Sequence, residues 1–172
     1  KTEVASLGIA YDPSSHRIYL PQFSDVHVDG TPTEASILMG YQLRRLDGNG
    51  PKYLNALTSR DEKPYTRFHV AGFPSECVLV EDLASGMAVA SAGYNALVNY
   101  GVQVNIETLN NNKDCDRYTV WLDNDNDTVR EQARLIGRTW MMITGKPTSL
   151  VEGYSDPKDF DETTIDRILV DA

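Results

Sequence analysis

The sequence predicts an α/β chain in which a small β-rich subdomain over residues 1–72 precedes a parallel βαβαβα core over residues 73–172. Three observations lead there. Up to about Arg67 the apolar residues fall in short runs broken by turn signals. Beyond it, short buried runs alternate with stretches of helical periodicity. Each of those buried runs ends in acidic residues, and in open parallel sheets ligands bind beyond the carboxyl ends of the strands.

In the first part, Arg17 to Phe23 is an apolar strand-like run, His27 to Gly30 is a turn signal, and Ser36 to Leu46 resumes an extended pattern. This predicts a hairpin or small curved sheet. The Pro64 to Pro74 stretch is the candidate boundary. Cys77 to Val80 then predicts a buried strand, and Leu83, Met87, Ala90, Tyr94, Leu97 and Val98 recur as one helical stripe. Tyr118 to Leu122 predicts a second strand, and Val129, Ala133, Ile136 and Trp140 the stripe of a second helix. A third strand around Ser149 to Val151 precedes a last helix near Glu162 to Leu169. Strand and helix alternating three times is the order of a parallel sheet with right-handed crossovers. Trp121 and Trp140 sit on apolar faces and are expected to fill core.

The 172 residues suit one domain, or two small subdomains sharing a sheet. No apolar run approaches the roughly 20 residues of a membrane span, so no membrane partner is expected. The sequence begins at Lys1 without a basic-then-apolar leader, which predicts no signal peptide and fits a piece of a longer protein. Cys77 and Cys115 lack zinc-ligand spacing, which excludes a zinc ribbon and fits a reducing, cytoplasmic setting. A net charge of −9 argues against simple electrostatic binding of nucleic acid. The charge is uneven, however: residues 1–39 carry −3, residues 40–70 carry +3, and residues 71–172 carry −9.

Glu81-Asp82 follows the first core strand, Asp123-Asn-Asp125-Asn-Asp127 the second, and Asp156-Pro-Lys-Asp159 the third. If those strands are neighbours, Glu81, Asp123, Asp125 and Asp156 converge at one end of the sheet. Carboxylates so placed repel one another, and hard divalent cations with oxygen ligands relieve that repulsion. The chemistry best served is phosphoryl or nucleotidyl transfer. Asp127 fits capping of the next helix as well as it fits metal contact. A calcium loop is excluded, because Thr128 and Arg134 stand where its Gly and Glu belong.

The order Leu79-Val-Glu81, Leu-Asp123-Asn-Asp125 and Asp156-Pro-Lys-Asp159 resembles the TOPRIM domain of bacterial-type primases, topoisomerases and some nucleases. The resemblance implies that Glu81 is the motif glutamate, a general acid/base or metal ligand, that Asp123 and Asp125 are metal ligands, and that Asp156 is a further one. Two departures stand out: Ser85 replaces an Asp common in the family, and Asp82 stands where a Gly is common.

Upstream, Arg17-Ile-Tyr-Leu-Pro21, Gly40-Tyr-Gln-Leu-Arg44-Arg45 and Pro51-Lys52-Tyr53-Leu54-Asn55 resemble the N-terminal subdomain of the bacterial-type primase polymerase core, with a phage-like flavour in the first TOPRIM segment. Arg44 and Lys52 suit neutralising phosphates, Asn55 offers a donor and an acceptor, and Tyr53 a face for a base. Core packing is nonetheless the expected role of Tyr53 and Leu54. Arg44 and Arg45 are neighbours on a strand and point to opposite faces, so one of them, Arg44 by resemblance, is expected in the cleft.

The resemblance implies a DNA primase catalytic core that makes short RNA primers from ribonucleoside triphosphates on a single-stranded DNA template. It would use two or more Mg²⁺ or Mn²⁺ ions, with a replicative helicase and a zinc-binding domain as partners outside this chain. The alternatives are a TOPRIM metal-dependent nuclease or topoisomerase-like module, and a catalytically degenerate binding module associated with replication.

Overall fold

The computed structural model describes residues 9–51, 53–57, 63–71, 75–123 and 126–172. In chain order the strands are β1 (Ala10–Asp12), β2 (Arg17–Phe23), β3 (Asp25–His27), β4 (Leu38–Arg45), β5 (Tyr53–Leu57), β6 (Thr66–His69), β7 (Glu76–Val80), β8 (Asn95–Val98), β9 (Arg117–Val120) and β10 (Thr148–Leu150). The helices are α1 (Leu83–Ser91), α2 (Ile106–Asn111), α3 (Asp127–Thr144) and α4 (Glu162–Asp171), with a 3₁₀ turn at Pro157–Asp159. Strands β1, β2, β4 and β5 form a four-stranded antiparallel sheet in the order β1-β2-β4-β5. The other six form a second sheet ordered β10-β9-β7-β8-β6-β3. In it β10, β9, β7 and β8 are mutually parallel, and β6 runs antiparallel to β8. Strands β3 and β6, both from before residue 73, belong to this second sheet, so the two sheets interleave along the chain.

The central strands explain their own sequences. A parallel sheet covered on both faces buries successive residues of a strand alternately on each side, so its strands read as continuous apolar runs. Cys77 to Val80 are all fully buried. Val78 and Val80 join Phe68, Val98, Trp121, Ile165 and Leu169 in one core. Cys77 and Leu79 join Leu97, Val120, Ile136 and Trp140 in the core on the opposite face.

The same effect corrects one expectation. The helical stripe over Leu83 to Val98 is a helix only as far as Ser91, and Asn95–Val98 is strand β8. Gly93 turns the chain with φ +95, a left-handed conformation that suits glycine after a helix. Strand β8 lies between β7 and β6 with every residue buried, and a short run buried on both faces has no periodicity that separates strand from helix.

Helix α3 obeys local rules at both ends. The Asn126 side chain accepts the Val129 N–H at 3.1 Å, and Gly145 ends the helix at φ +66. Its inner face is Ala133, Ile136, Gly137 and Trp140, with Trp140 set against Tyr118 at 4.3 Å between ring centroids. Asn126→Ala removes the cap and is expected to cost about 1 kcal/mol, or roughly 2–4 °C in Tm, measured by thermal denaturation. Among the described residues no helix is long and apolar enough to cross a membrane.

Candidate active site

Three parallel strands deliver carboxylates to one edge. Strand β7 leads directly into Glu81 and Asp82, β9 leads to Asp123 three residues on, and the loop after β10 reaches Asp156. The strand ends are tied together. The Trp121 N–H donates to the Leu79 carbonyl at 2.9 Å, the Val151 N–H to the Val120 carbonyl at 3.0 Å, and the Gly101 N–H to the Glu81 carbonyl at 3.1 Å. Trp121 also fixes the Asp156 loop, because its indole Nε1–H donates to the Ser155 carbonyl at 2.9 Å while its ring sits 6.1 Å from that of Phe160. Asp156 then heads the 3₁₀ turn, whose first residue, Pro157, is buried and supplies a fixed φ.

The charges at this edge act on one another. Burial raises the Glu81 pKa, and repulsion from Asp156, Asp123 and Asp82 raises it further, with Lys158 opposing. Asp82 shows the reverse balance. Burial pushes its carboxyl up, but hydrogen bonds from Lys158 and Ser85 outweigh that and hold it below its ordinary value. Its Oδ1 accepts the Ser85 N–H at 2.8 Å, capping α1, and its Oδ2 accepts Lys158 Nζ at 2.6 Å. Lys158 Nζ also donates to Asp156 Oδ2. Burial opposes the charge on Lys158, yet its two carboxylate partners keep its pKa above the ordinary lysine value. Lys63, from the basic segment, also feels Glu81: burial lowers its pKa, and the attraction of Glu81 opposes that.

Asp127 is not part of the cluster. Its side chain is 97% exposed and pairs with Arg130 at the start of α3, while Asn126 is the cap. Asp125 and Lys52 lie outside the described residues.

The first sheet supplies the other wall. Leu20 on β2, Gln42 and Arg44 on β4, and Tyr53 on β5 line a cavity of about 240 Å³ together with Asp82, Leu83, Ala84, Met87 and Lys158. Arg44 is paired with Tyr53 in the β4–β5 register, and its guanidinium carbon sits 5.9 Å from the tyrosine ring centroid. Arg45 points elsewhere and donates to Asp47 at 2.5 Å. Asn55 is exposed and accepts Gln22 Nε2 at 3.3 Å; it does not line this cavity. Leu54, for which core packing was expected, is 45% exposed.

Sequence reasoning passed over Asp82 and Lys158 as site residues, Lys63 as a neighbour of Glu81, and Trp121 as more than core. For Asp82 a signal was present, since an Asp directly after a buried strand and before a helical stripe is an N-cap pattern.

A divalent cation suits the oxygen donors present. Mg²⁺ and Mn²⁺ need few protein carboxylates, with waters and phosphates completing the shell. The repulsion at Glu81 is what such an ion would relieve. Among the described residues no group of three or more His, Cys, Asp or Glu side chains is placed to hold a metal ion by itself.

No protein-family model matches the sequence, and a search of curated proteins finds no match. Solved structures do match in fold. The zinc-binding and RNA polymerase domains of the Aquifex aeolicus primase superpose with a TM-score of 0.66 at 18% identity, covering 91% of this chain and 40% of that one. A DnaG primase catalytic domain bound to single-stranded DNA gives 0.66 at 15% identity, covering 97% and 59%. A DNA primase domain from Pseudomonas aeruginosa gives 0.60 at 16% identity, covering 96% and 57%. The chain therefore has the fold of the primase catalytic domain, and spans 40% to 59% of the length of these neighbours.

Proposed function

We propose that the chain is the catalytic core of a DNA primase, a nucleotidyltransferase that joins ribonucleoside triphosphates into a short RNA primer on single-stranded DNA. One observation carries this reading. Arg44 and Tyr53 of the first sheet line one cavity with Asp82, the neighbour of Glu81, and with Lys158, the partner of Asp156. Catalysis on a polyanion needs both halves: carboxylates to hold cations at the reacting oxygens, and basic and aromatic groups to hold phosphates and bases.

Glu81, Asp123 and Asp156, with Asp125, would hold Mg²⁺ or Mn²⁺, which when bound favours ionisation of a 3′-hydroxyl and offsets the charge of departing pyrophosphate. Arg44 supplies a planar, bidentate donor for phosphate, and Tyr53 a face for a base. Lys52 and Asn55 belong to the same basic segment, and we assign them to template or nucleotide positioning. The template, ribonucleoside triphosphates and primer are then the substrates, and a replicative helicase and a zinc-binding domain are the partners this reading calls for.

The test is synthesis by the purified chain on single-stranded DNA with labelled ribonucleoside triphosphates and Mn²⁺. Short RNA is expected only when template, nucleotides and metal are all present, and EDTA should abolish it. Degradation of labelled DNA without nucleotides would overturn the assignment in favour of a nuclease. Neither product would leave a binding module.

A further inference from the structure

The edge of the second sheet opposite the carboxylates holds two thiols. Cys77, on β7, is paired in register with Asn95 on β8 and with Tyr118 on β9. Both of those neighbours reach Cys115, which stands just before β9. The Asn95 Nδ2–H donates to its sulfur at 3.8 Å, and its backbone N–H donates to the Tyr118 hydroxyl at 3.2 Å. Cys115 is thereby laid over Cys77, and the two thiols share a hydrogen bond. Arg67 completes the cluster, with Nη2 donating to the Cys115 sulfur at 3.5 Å and Nη1 to Asp114 at 2.6 Å. It is 6% exposed, and its Nε–H has no hydrogen-bond partner among the described residues. A buried charged donor left unpaired is costly, and reactive sites are where such groups are found. Cys115 lines a polar cavity of about 390 Å³ together with Arg67, His69, Ser75, Asn95 and Asp114. Hydrogen bonding from Cys77 holds the Cys115 thiol below its ordinary pKa, against burial and with help from Arg67, while the same bond and burial push the Cys77 thiol up. The sulfur on the cavity is therefore the one that ionises, and the one behind it stays a thiol.

We propose that this pair is a modification site, at which hydroperoxides oxidise Cys115 and Cys77 resolves the product to a disulfide. The Cys115 thiolate attacks the terminal oxygen of the hydroperoxide: an S–O bond forms, the O–O bond breaks, and the departing alkoxide or hydroxide takes up a proton as alcohol or water. The Cys77 sulfur then attacks the sulfenic sulfur of Cys115. An S–S bond forms, the S–O bond breaks, and the Cys77 proton leaves with the hydroxyl as water. The two thiols lose two electrons, and the peroxide gains them. Arg67 acts in the first step, holding the thiolate by a hydrogen bond and offsetting the charge on the leaving oxygen. The cluster sits at the amino ends of β7, β8 and β9, whereas Glu81 and Asp123 lie beyond the carboxyl ends of β7 and β9, so primer synthesis neither supports nor weakens it.

The test treats the reduced, folded chain with hydrogen peroxide at neutral pH and reads intact mass and tryptic peptides, with dimedone added in a parallel run to trap sulfenic acid. Wild type is expected to lose two hydrogens and to yield a Cys77–Cys115 linkage within one chain, reversed by dithiothreitol. Cys77→Ala should instead carry a dimedone adduct on Cys115, and Cys115→Ala should keep its remaining thiol free. Arg67→Lys, which retains the charge but not the fork, should react roughly tenfold more slowly, the size of one lost charge-assisted hydrogen bond. Circular dichroism checks each fold. Wild type that keeps both thiols at peroxide concentrations that oxidise glutathione, that links two chains rather than one, or that takes dimedone on Cys77 overturns the proposal. Should the variants unfold, wild type alone decides: a disulfide that forms no faster in the folded chain than in the same chain in urea also overturns it.

Discussion

Glu81→Gln is expected to abolish primer synthesis and, at neutral pH without metal, to raise the melting temperature. The two effects share one cause. Burial and the charges of Asp156, Asp123 and Asp82 push the Glu81 pKa above its ordinary value of 4.5, so the folded protein binds the Glu81 proton more tightly than the unfolded chain does. The contribution of a group shifted in this direction is full below the ordinary carboxylate range and is lost as pH rises through the raised folded value. At pH 7 the ionised Glu81 therefore weakens the fold, and an isosteric amide relieves that repulsion, which is read as a higher melting temperature. Activity should fall by roughly 10²–10⁴, the range for losing a group that handles a proton or orients the reacting centre. Melting curves in EDTA from pH 4 to pH 8 check the stability half, and the advantage of Glu81→Gln should vanish toward pH 4. Added Mn²⁺ should stabilise wild type more than the variant, since an ion that binds only the folded state raises its stability. Equal melting temperatures at all pH values would show that Glu81 does not feel its neighbours as the geometry requires.

The acidic notch was legible in the sequence because its parts obey a strong topological rule. Residues that follow buried parallel strands emerge at one edge: Glu81 comes directly after β7, Asp123 three residues after β9, and Asp156 in the loop after β10. The same rule does not say how far past a strand a side chain still reaches the edge, and Asp127, already inside α3, points to solvent. The fold class followed from alternating strands and helices, but β8 hid inside an apparent helical stripe, because both faces of a central strand are apolar. Lys158 was opaque for a different reason. One lysine among acidic residues on a loop reads as a solvated charge, and only the docking of the 3₁₀ turn onto α1 turns it toward Asp82, 76 positions away. Contacts of that kind are tertiary and leave no local pattern. The pairing of Arg44 with the acidic wall has the same origin, in the way two sheets from interleaved segments meet.

Gly86→Ala is expected to be clearly destabilising, against its helix propensity. In an exposed helix this substitution gains about 1 kcal/mol. Here a Cβ would stand 2.4 Å from Val98 Cγ2 and 2.9 Å from Phe68 Cε2. Neither neighbour has room to yield: Val98 is β-branched on a central strand, and both side chains are buried in the core beneath α1. Overpacking of this kind costs about 1–3 kcal/mol, and more where the backbone must shift. A net fall in Tm of about 5–10 °C is expected. Gly137→Ala is the control, because its Cβ would meet the flexible end of Leu150 at 3.0 Å, and it should be close to neutral or stabilising. Val98→Ala removes the closest obstacle, so the Gly86→Ala/Val98→Ala double variant should lose less than the sum of the singles by at least about 0.5 kcal/mol. Additive losses would mean the clash is not what Gly86 avoids. The site feels the same contact, because the methyl lifts α1 from β8 and carries with it the Asp82 cap on which Lys158 closes.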